Sequence, residues 1–169
     1  MILTSLQLVS QVAAKANITI SFPQTGGLYN YPDPSGGLIS SFTSYGPTTD
    51  MYFKPAVAAP GGNILSTLPL KLGAYGVESG TSMATPFLAG TSALLLETKG
   101  KSKDVIDGAR TLFQTTSQRV GSSHTDAHPY QTVSQQGAGL VNVYNAIHYK
   151  TTVSPGELLL NDTAHFSGT

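Results

Sequence analysis

The sequence predicts an α/β fold, and three observations carry that reading. Short strand-like segments precede the helical ones along the chain, at 17–22, 37–42 and 56–60. The run from Ser82 to about Lys99 is apolar or small nearly all round, the pattern of a helix that is buried rather than laid on a surface. A second helical stretch follows from Lys103 to Thr115, where Val105, Ala109 and Leu112, with Ile106 and Phe113, recur at spacings of three, four and seven.

Taken in order, residues 1–16 read as an amphipathic helix or strand, and NITISF (17–22) alternates Ile18, Ile20 and Phe22 onto one face of a half-buried strand. Residues 23–36 collect PQTGG and YPDPSGG, an exposed loop or linker. GLISSF (37–42) is expected to be a second strand, followed by the turn-rich stretch SYGPTTDMYFKP. The small apolar run AVAAP (56–60) suits a strand packed on both faces. Ser102 is placed to cap the helix from Lys103, with Asp104 near the positive end of its dipole. A third, short helix fits Leu140 to His148, with Leu140, Val143 and Ile147 on one stripe after Gly137 and Gly139. The tail from Thr151 returns to strand-like character.

Composition narrows the function. At 169 residues the chain can bury a sizeable core, and 40% of its residues are hydrophobic. Only 11% are charged, formal net charge is zero and no basic cluster occurs, which argues against nucleic acid or an anionic membrane as partner. No apolar stretch is long enough to span a bilayer. Without cysteine there is neither a thiol nucleophile nor a zinc–thiolate site. The segment MILTSLQLVSQVAAKA ends like a cleavage site, but no positive charge precedes it and polar residues interrupt it, so no signal peptide is expected within it. Two glycosylation tripeptides, at Asn17 and Asn161, fit an extracellular origin.

Ser82, in SGTSMATPFLAG, is the candidate reactive residue. A serine hydroxyl is a weak nucleophile and needs an adjacent base, commonly a histidine oriented by a carboxylate, plus donors aimed at the developing oxyanion. The start of a buried helix supplies free amides and the positive end of a dipole. Gly80 and Ala84 are small enough for a substrate backbone to approach. Pro86 is expected in or just past the first turn, where a missing N–H costs least. Serine is equally a preferred helix N-cap, and these residues alone leave both readings open.

The longer stretch GTSMATPFLAG resembles the active-site serine segment of subtilisin-like serine proteases, the subtilases of peptidase family S8. SFTSYGPTTDMYFKPAVAAPGGNILST (41–67) resembles the family's Ser-x-x-Gly-Pro and Lys-Pro-x-x-x-Ala-Pro-Gly segment, with Ala56 where the family often has an acidic residue. QGAGLVNVYNAI (136–147) is similar to the Gly-x-Gly and final helix of the family's catalytic domain. The resemblance covers about residues 37–150 and is nearest to large secreted subtilases of fungi and bacteria. It implies a three-layer α/β fold with a mostly parallel sheet, of which this chain holds the C-terminal half. It also implies a serine endopeptidase acting on proteins or peptides, secreted as a parent protein, with no cofactor and no metal assigned. By resemblance Ser82 is the catalytic nucleophile, and Thr81 contributes to oxyanion or substrate binding. Residues 1–22 resemble the end of an inserted protease-associated domain, 23–150 the C-terminal part of the catalytic domain, and 151–169 the start of a following β-sandwich.

The family's chain order is Asp, His, Ser, yet the first histidine here is His124, after Ser82, and no Asp-Ser/Thr-Gly or His-Gly-Thr-His block is present. The expectation is a piece of a longer protease, inactive by itself. An α/β-hydrolase order Ser, Asp, His is superficially met by Ser82, Asp104 or Asp126, and His128 or His148, without the upstream oxyanion loop that such enzymes carry. A non-catalytic binding fragment is a further alternative. His124, Asp126 and His128 form HTDAH, which the surrounding turn formers make a solvated loop rather than a helical metal site. Glu78 is expected to face outward or line the substrate cleft, and Met83 to pack in the floor of the site.

Overall fold

Two helices carry most of the regular structure; the first begins at Thr81, one residue before the expected Ser82, and the second at Lys103 as expected. Thr81–Lys99 (α1) and Lys103–Thr116 (α2) are separated by Gly100, whose φ of 89° ends α1 and whose amide caps the Leu96 carbonyl. Ser102 caps α2 by accepting from the Val105 amide at 3.4 Å, and Asp104 lies in the first turn as expected. The structure is a computed structural model and describes residues 13–15, 32–125 and 129–158. Two units can be separated, Met1–Pro32 and Asp33–Thr169, and the second holds every element discussed below. The expected strand at 17–22, the reading of residues 1–12 and the tail beyond 158 lie outside the described residues.

A hairpin precedes α1. Its strands Ile64–Thr67 (β1) and Tyr75–Glu78 (β2) pair antiparallel, with Ile64 opposite Glu78 and Thr67 opposite Tyr75, and a single 3₁₀ turn at Leu70–Leu72 joins them. After α2 come a one-turn helix at Val133–Gln136 (α3) and the short Val143–His148 (α4). Helix α4 starts three residues later than the apolar stripe suggests. Asn142 is its cap, accepting from the Asn145 amide at 2.9 Å, and the Leu140 and Val141 amides bond instead to Gln118 and Ala58.

The architecture is α/β, and its parallel component among the described residues is one bridge. Ala58 pairs parallel with Leu140, which also pairs antiparallel with Gln118. AVAAP is therefore extended, but it is held along one edge, by bonds such as Ala58 N–H to Gly139 at 2.8 Å and Val141 N–H to Ala58 at 2.8 Å. Gly139 is required at this junction: its φ is 124°, and a Cβ there would lie 2.4 Å from the Gln118 carbonyl oxygen. The strand expected at 37–42 is absent. Asp33 and Ser35 carbonyls accept from Gly36 and Leu38, and Ser40 from Thr43, so local turns take the bonds a partner strand would have used. Residues 151–158 likewise form no strand.

The core gathers where α1, α2 and α4 meet. Leu95, Leu112, Phe113, Val141 and Ala146 form it, flanked by Val57, Ala59, Leu88, Ala109 and Ile147. Full burial of a side chain such as Leu95 is worth about 1.5–3 kcal/mol. The expected burial of α1 on all sides is not met: Leu95 is 1% exposed, but Phe87 is 44% and Leu94 54% exposed. The described neighbours cover one flank of the helix, and its apolar residues continue round to the other. Hydroxyls along both helices turn inward to the backbone. Thr85, Thr91, Ser92 and Thr98 on α1, and Thr115, Thr116 and Ser117 at the end of α2, each donate to the carbonyl four residues back at 2.6–2.9 Å.

One close approach joins the 56–62 segment to the start of α1. The Gly80 amide donates to the Gly61 carbonyl at 2.8 Å. A Cβ on buried Gly61 would meet the Gly80 carbonyl oxygen at 2.7 Å and the Ala84 Cβ at 3.0 Å. Gly61→Ala is expected to destabilise by about 1–3 kcal/mol through overpacking. Gly108 lies inside α2 in open space, and a methyl added there would have no neighbour within 4 Å. Gly108→Ala is therefore expected to gain about 0.5–1 kcal/mol from helix propensity. Urea midpoints of the two variants should move in opposite directions; a shift in the same direction would contradict this packing.

Candidate active site

Gly80 is the N-cap of α1, with extended backbone at φ 165° and ψ 162°. Ser82 is consequently the second residue of the helix, not its cap. The Met83 amide donates to the Gly80 carbonyl at 3.0 Å and the Ala84 amide at 3.4 Å. Among the described residues the Thr81 and Ser82 amides have no backbone acceptor, so two donors stand free at the positive end of the helix. Pro86 is the sixth helical residue, beyond the first turn. Its missing N–H removes the bond that the Ser82 carbonyl would otherwise accept, a cost absent from the expectation that the proline sits at the helix start.

Ser82 is exposed and opens onto a groove of about 190 Å³ that it lines with Glu78, Met83 and Pro86. The hairpin forms the other wall through Ile64, Ser66, Leu68 and Gly76. Met83 is half-buried in this groove, in keeping with a floor residue, and Glu78 is exposed at the end of β2. Thr81 faces a different, larger space of about 470 Å³ between α1 and the 33–44 and 54–62 segments. Its carbonyl accepts from the Thr85 hydroxyl at 2.8 Å. The smallness of Ala84 is used by the protein itself, since Ala84 faces Gly61 in that packing.

No histidine lines the Ser82 groove among the described residues. His124 Nε2 lies 2.9 Å from the Pro34 carbonyl oxygen, and His148 at the end of α4 lies against Tyr144, ring centroids 4.2 Å apart. Asp104 sits exposed in the first turn of α2. The geometry thus gives the Ser, Asp, His alternative no support from His148, while Asp126 and His128 fall outside the described residues. No group of three potential metal ligands occurs among the described residues.

A polar relay that sequence reasoning missed ties the approach to Ser82 to the 33–35 turn. The Asn63 amide donates to Ser79 Oγ at 2.8 Å, and Asn63 Nδ2 donates to Asp33 Oδ1 at 3.1 Å. Ser79 directly precedes the cap, so this relay fixes where α1 begins. The available signal was Asn63 after Gly61-Gly62, a residue type that tolerates the left-handed backbone it adopts at φ 51°. Asp33 Oδ1 also accepts from the Ser35 hydroxyl at 2.8 Å and the Ser35 amide at 2.9 Å. The Ser35 hydroxyl first, then the Ser35 amide, hold the Asp33 carboxyl below its ordinary value of 3.8; desolvation opposes them less strongly, and the Asn63 hydrogen bond adds the smallest lowering effect.

Comparison with known proteins agrees with this layout. The model of the subtilase family matches residues 7–139. The chain is 34% identical over 126 residues to the minor extracellular protease Vpr of Bacillus subtilis, covering 72% of this chain and 15% of that protein. It is 39% identical over 122 residues to the PII-type proteinase of Lactococcus lactis subsp. cremoris, covering 64% of this chain and 6% of the relative. Pyrolysin of Pyrococcus furiosus is 35% identical over 128 residues, covering 73% of this chain and 9% of pyrolysin. The chain therefore spans a small fraction of the length of these relatives.

Because the folded-state Asp33 carboxyl is held low, its stabilising contribution is complete above the ordinary value and is lost as pH falls through the lowered one. A carbon-13-detected titration should place the Asp33 midpoint below 3.8, and Ser35→Ala should move it upward. A midpoint at or above the ordinary value in the unaltered chain would contradict the hydrogen-bonded turn.

Proposed function

This chain belongs to the subtilase family, and we propose that Ser82 is the nucleophile of a serine endopeptidase that hydrolyses peptide bonds of protein substrates outside the cell. The observation that carries the reading is the placement of Ser82: exposed, second in a helix capped by Gly80, with its own amide free and a groove beside it. In such a reaction the Ser82 oxygen attacks the scissile carbonyl carbon while a histidine takes its proton. The carbonyl oxygen becomes an oxyanion next to the Ser82 amide, whose dipole and hydrogen bond favour the charge. Collapse of the intermediate breaks the C–N bond, the histidine protonates the departing amine, and water releases the acyl group from Ser82 by the same route. Thr81, one residue earlier, is assigned to substrate contact from the larger groove.

The finer architecture follows the same reading: the C-terminal half of a three-layer fold with a mostly parallel sheet, with the C-terminal part of the catalytic domain at 23–150, the end of an inserted protease-associated domain at 1–22, and the start of a β-sandwich at 151–169. The extracellular setting is supported by the name of the Bacillus relative. All four histidines of the sequence follow Ser82, and among the described residues none lines its groove, so the described part of the chain pairs a nucleophile and an oxyanion donor with no histidine base.

Two outcomes are expected. The isolated chain should release no more peptide from casein than its Ser82→Ala variant, and robust Ser82-dependent cleavage would overturn the assignment of a missing base. A chimera in which residues 41–147 replace the matching segment of the Bacillus protease should cleave casein. Ser82→Ala in that chimera should lower kcat by about 10⁶-fold, the loss typical of removing a triad serine. A folded Ser82→Ala chimera that retains the rate would remove Ser82 from the nucleophile's role.

A further inference from the structure

The groove beside Ser82 is built from two kinds of wall. Ile64, Leu68, Met83 and Pro86 give it apolar surface, Ser66, Thr67 and Ser82 add hydroxyls, and Glu78 is the one ionisable side chain lining it among the described residues. The hairpin register produces this arrangement. Ile64 pairs with Glu78 and Ser66 with Gly76, and all four line the groove, whereas the intervening pair, Leu65 with Val77, lies outside it; Thr67 at the end of β1 lines it as well. At Gly76 a Cβ would lie 2.5 Å from Leu68 Cδ1, so the glycine lets Leu68 form part of the apolar lining. Glu78 enters neither of the ion pairs found among the described residues, which join Lys103 to Asp107 and Arg110 to Glu157.

An apolar channel with one unpaired carboxylate and the proposed nucleophile on its rim matches a long aliphatic chain that ends in a cation. Methylene groups lie along the Ile64, Leu68, Met83 and Pro86 surfaces, and the charged head remains hydrated beside the carboxylate, the way lysine side chains ordinarily divide themselves. We infer that the groove is a selectivity pocket for a lysine side chain of the substrate, with Glu78 as the residue that sets the preference. The inference rests on Ser82 being the reacting serine, since that reading puts the selected lysine next to the scissile bond. It narrows the substrate class to proteins cut beside a basic residue.

The test measures binding, with no bond broken. The full chain, labelled with nitrogen-15, is titrated at low ionic strength with three end-capped tetrapeptides that differ at one position: lysine, the uncharged isostere norleucine, and glutamate. Amide signals of Glu78, Ser82 and Met83 should shift, and the lysine peptide should bind about fivefold more tightly than the norleucine peptide, the upper range for an exposed ion pair. The glutamate peptide should bind most weakly. Glu78→Gln should bring lysine and norleucine to parity while leaving amide signals outside the groove in place. Raising salt to about 1 M, where the screening length is roughly 3 Å, should erase the difference in the unaltered chain and requires no variant. Parity of the two peptides at low salt, a lysine preference that survives Glu78→Gln, or shifts confined to another surface would each overturn the inference. The two readings fail separately: an unreactive Ser82 leaves the binding preference standing, and parity of the peptides leaves the nucleophile standing.

Discussion

The position of Ser82 depends on one backbone contact, between Gly61 and the Gly80–Ala84 turn. Gly80 is extended and donates its amide to the Gly61 carbonyl, and no side chain fits between them. That contact fixes where helix α1 starts, which in turn decides which amides are left without partners. Had the helix begun two residues later, Ser82 would be its cap rather than a residue of its first turn. The Asn63 and Ser79 bonds reinforce the same junction from the other side, and the hairpin that walls the groove leads directly into it. Local chain direction, set by glycines, thus produces the electrostatic environment of the serine.

Much of this is legible in the sequence, for reasons that differ from element to element. Helix α2 can be read from its period and its Ser102 cap because both signals are local to the helix. Helix α1 can be read from the length of its apolar run, and the family from three motif blocks in order around Ser82. Glu78 reads as a residue that faces outward or lines the substrate cleft; it is exposed at the end of β2 and lines the groove beside Ser82. What the sequence conceals is pairing. AVAAP and GLISSF have similar strand-like composition, yet the first meets Gly139 and Leu140 while the second closes on itself through turns at Asp33, Ser35 and Ser40. No property of either segment alone distinguishes them, because a strand is defined by a partner elsewhere in the chain. The start of α4 is hidden for a related reason. Leu140 and Val141 continue the apolar stripe but spend their amides on distant carbonyls, and Asn142 is the first residue free to cap.

Pro86 shows how a local rule can be correct and its application displaced. Proline is cheap at the first position of a helix, and GTSMATP reads as though the proline were near enough to the start. With the cap at Gly80 it falls in the second turn, and the carbonyl left without a donor is that of Ser82. The residue that carries the proposed chemistry therefore has both its amide and its carbonyl outside the regular helical ladder.

The inward-turned hydroxyls of α1 and α2 have a consequence for how the molecule meets its surroundings. Seven serines and threonines give their hydrogens to carbonyls of their own helices, and what they show to neighbours is largely methyl and methylene. Mean hydropathy, which is -0.00 over the whole chain, counts these residues as polar. Their polarity is already consumed. The helical flank that carries Phe87 and Leu94 is therefore greasier than the composition suggests, and wetting that flank offers water few free hydrogen-bonding groups. Colloidal behaviour should follow this hidden apolarity rather than the balanced amino-acid count.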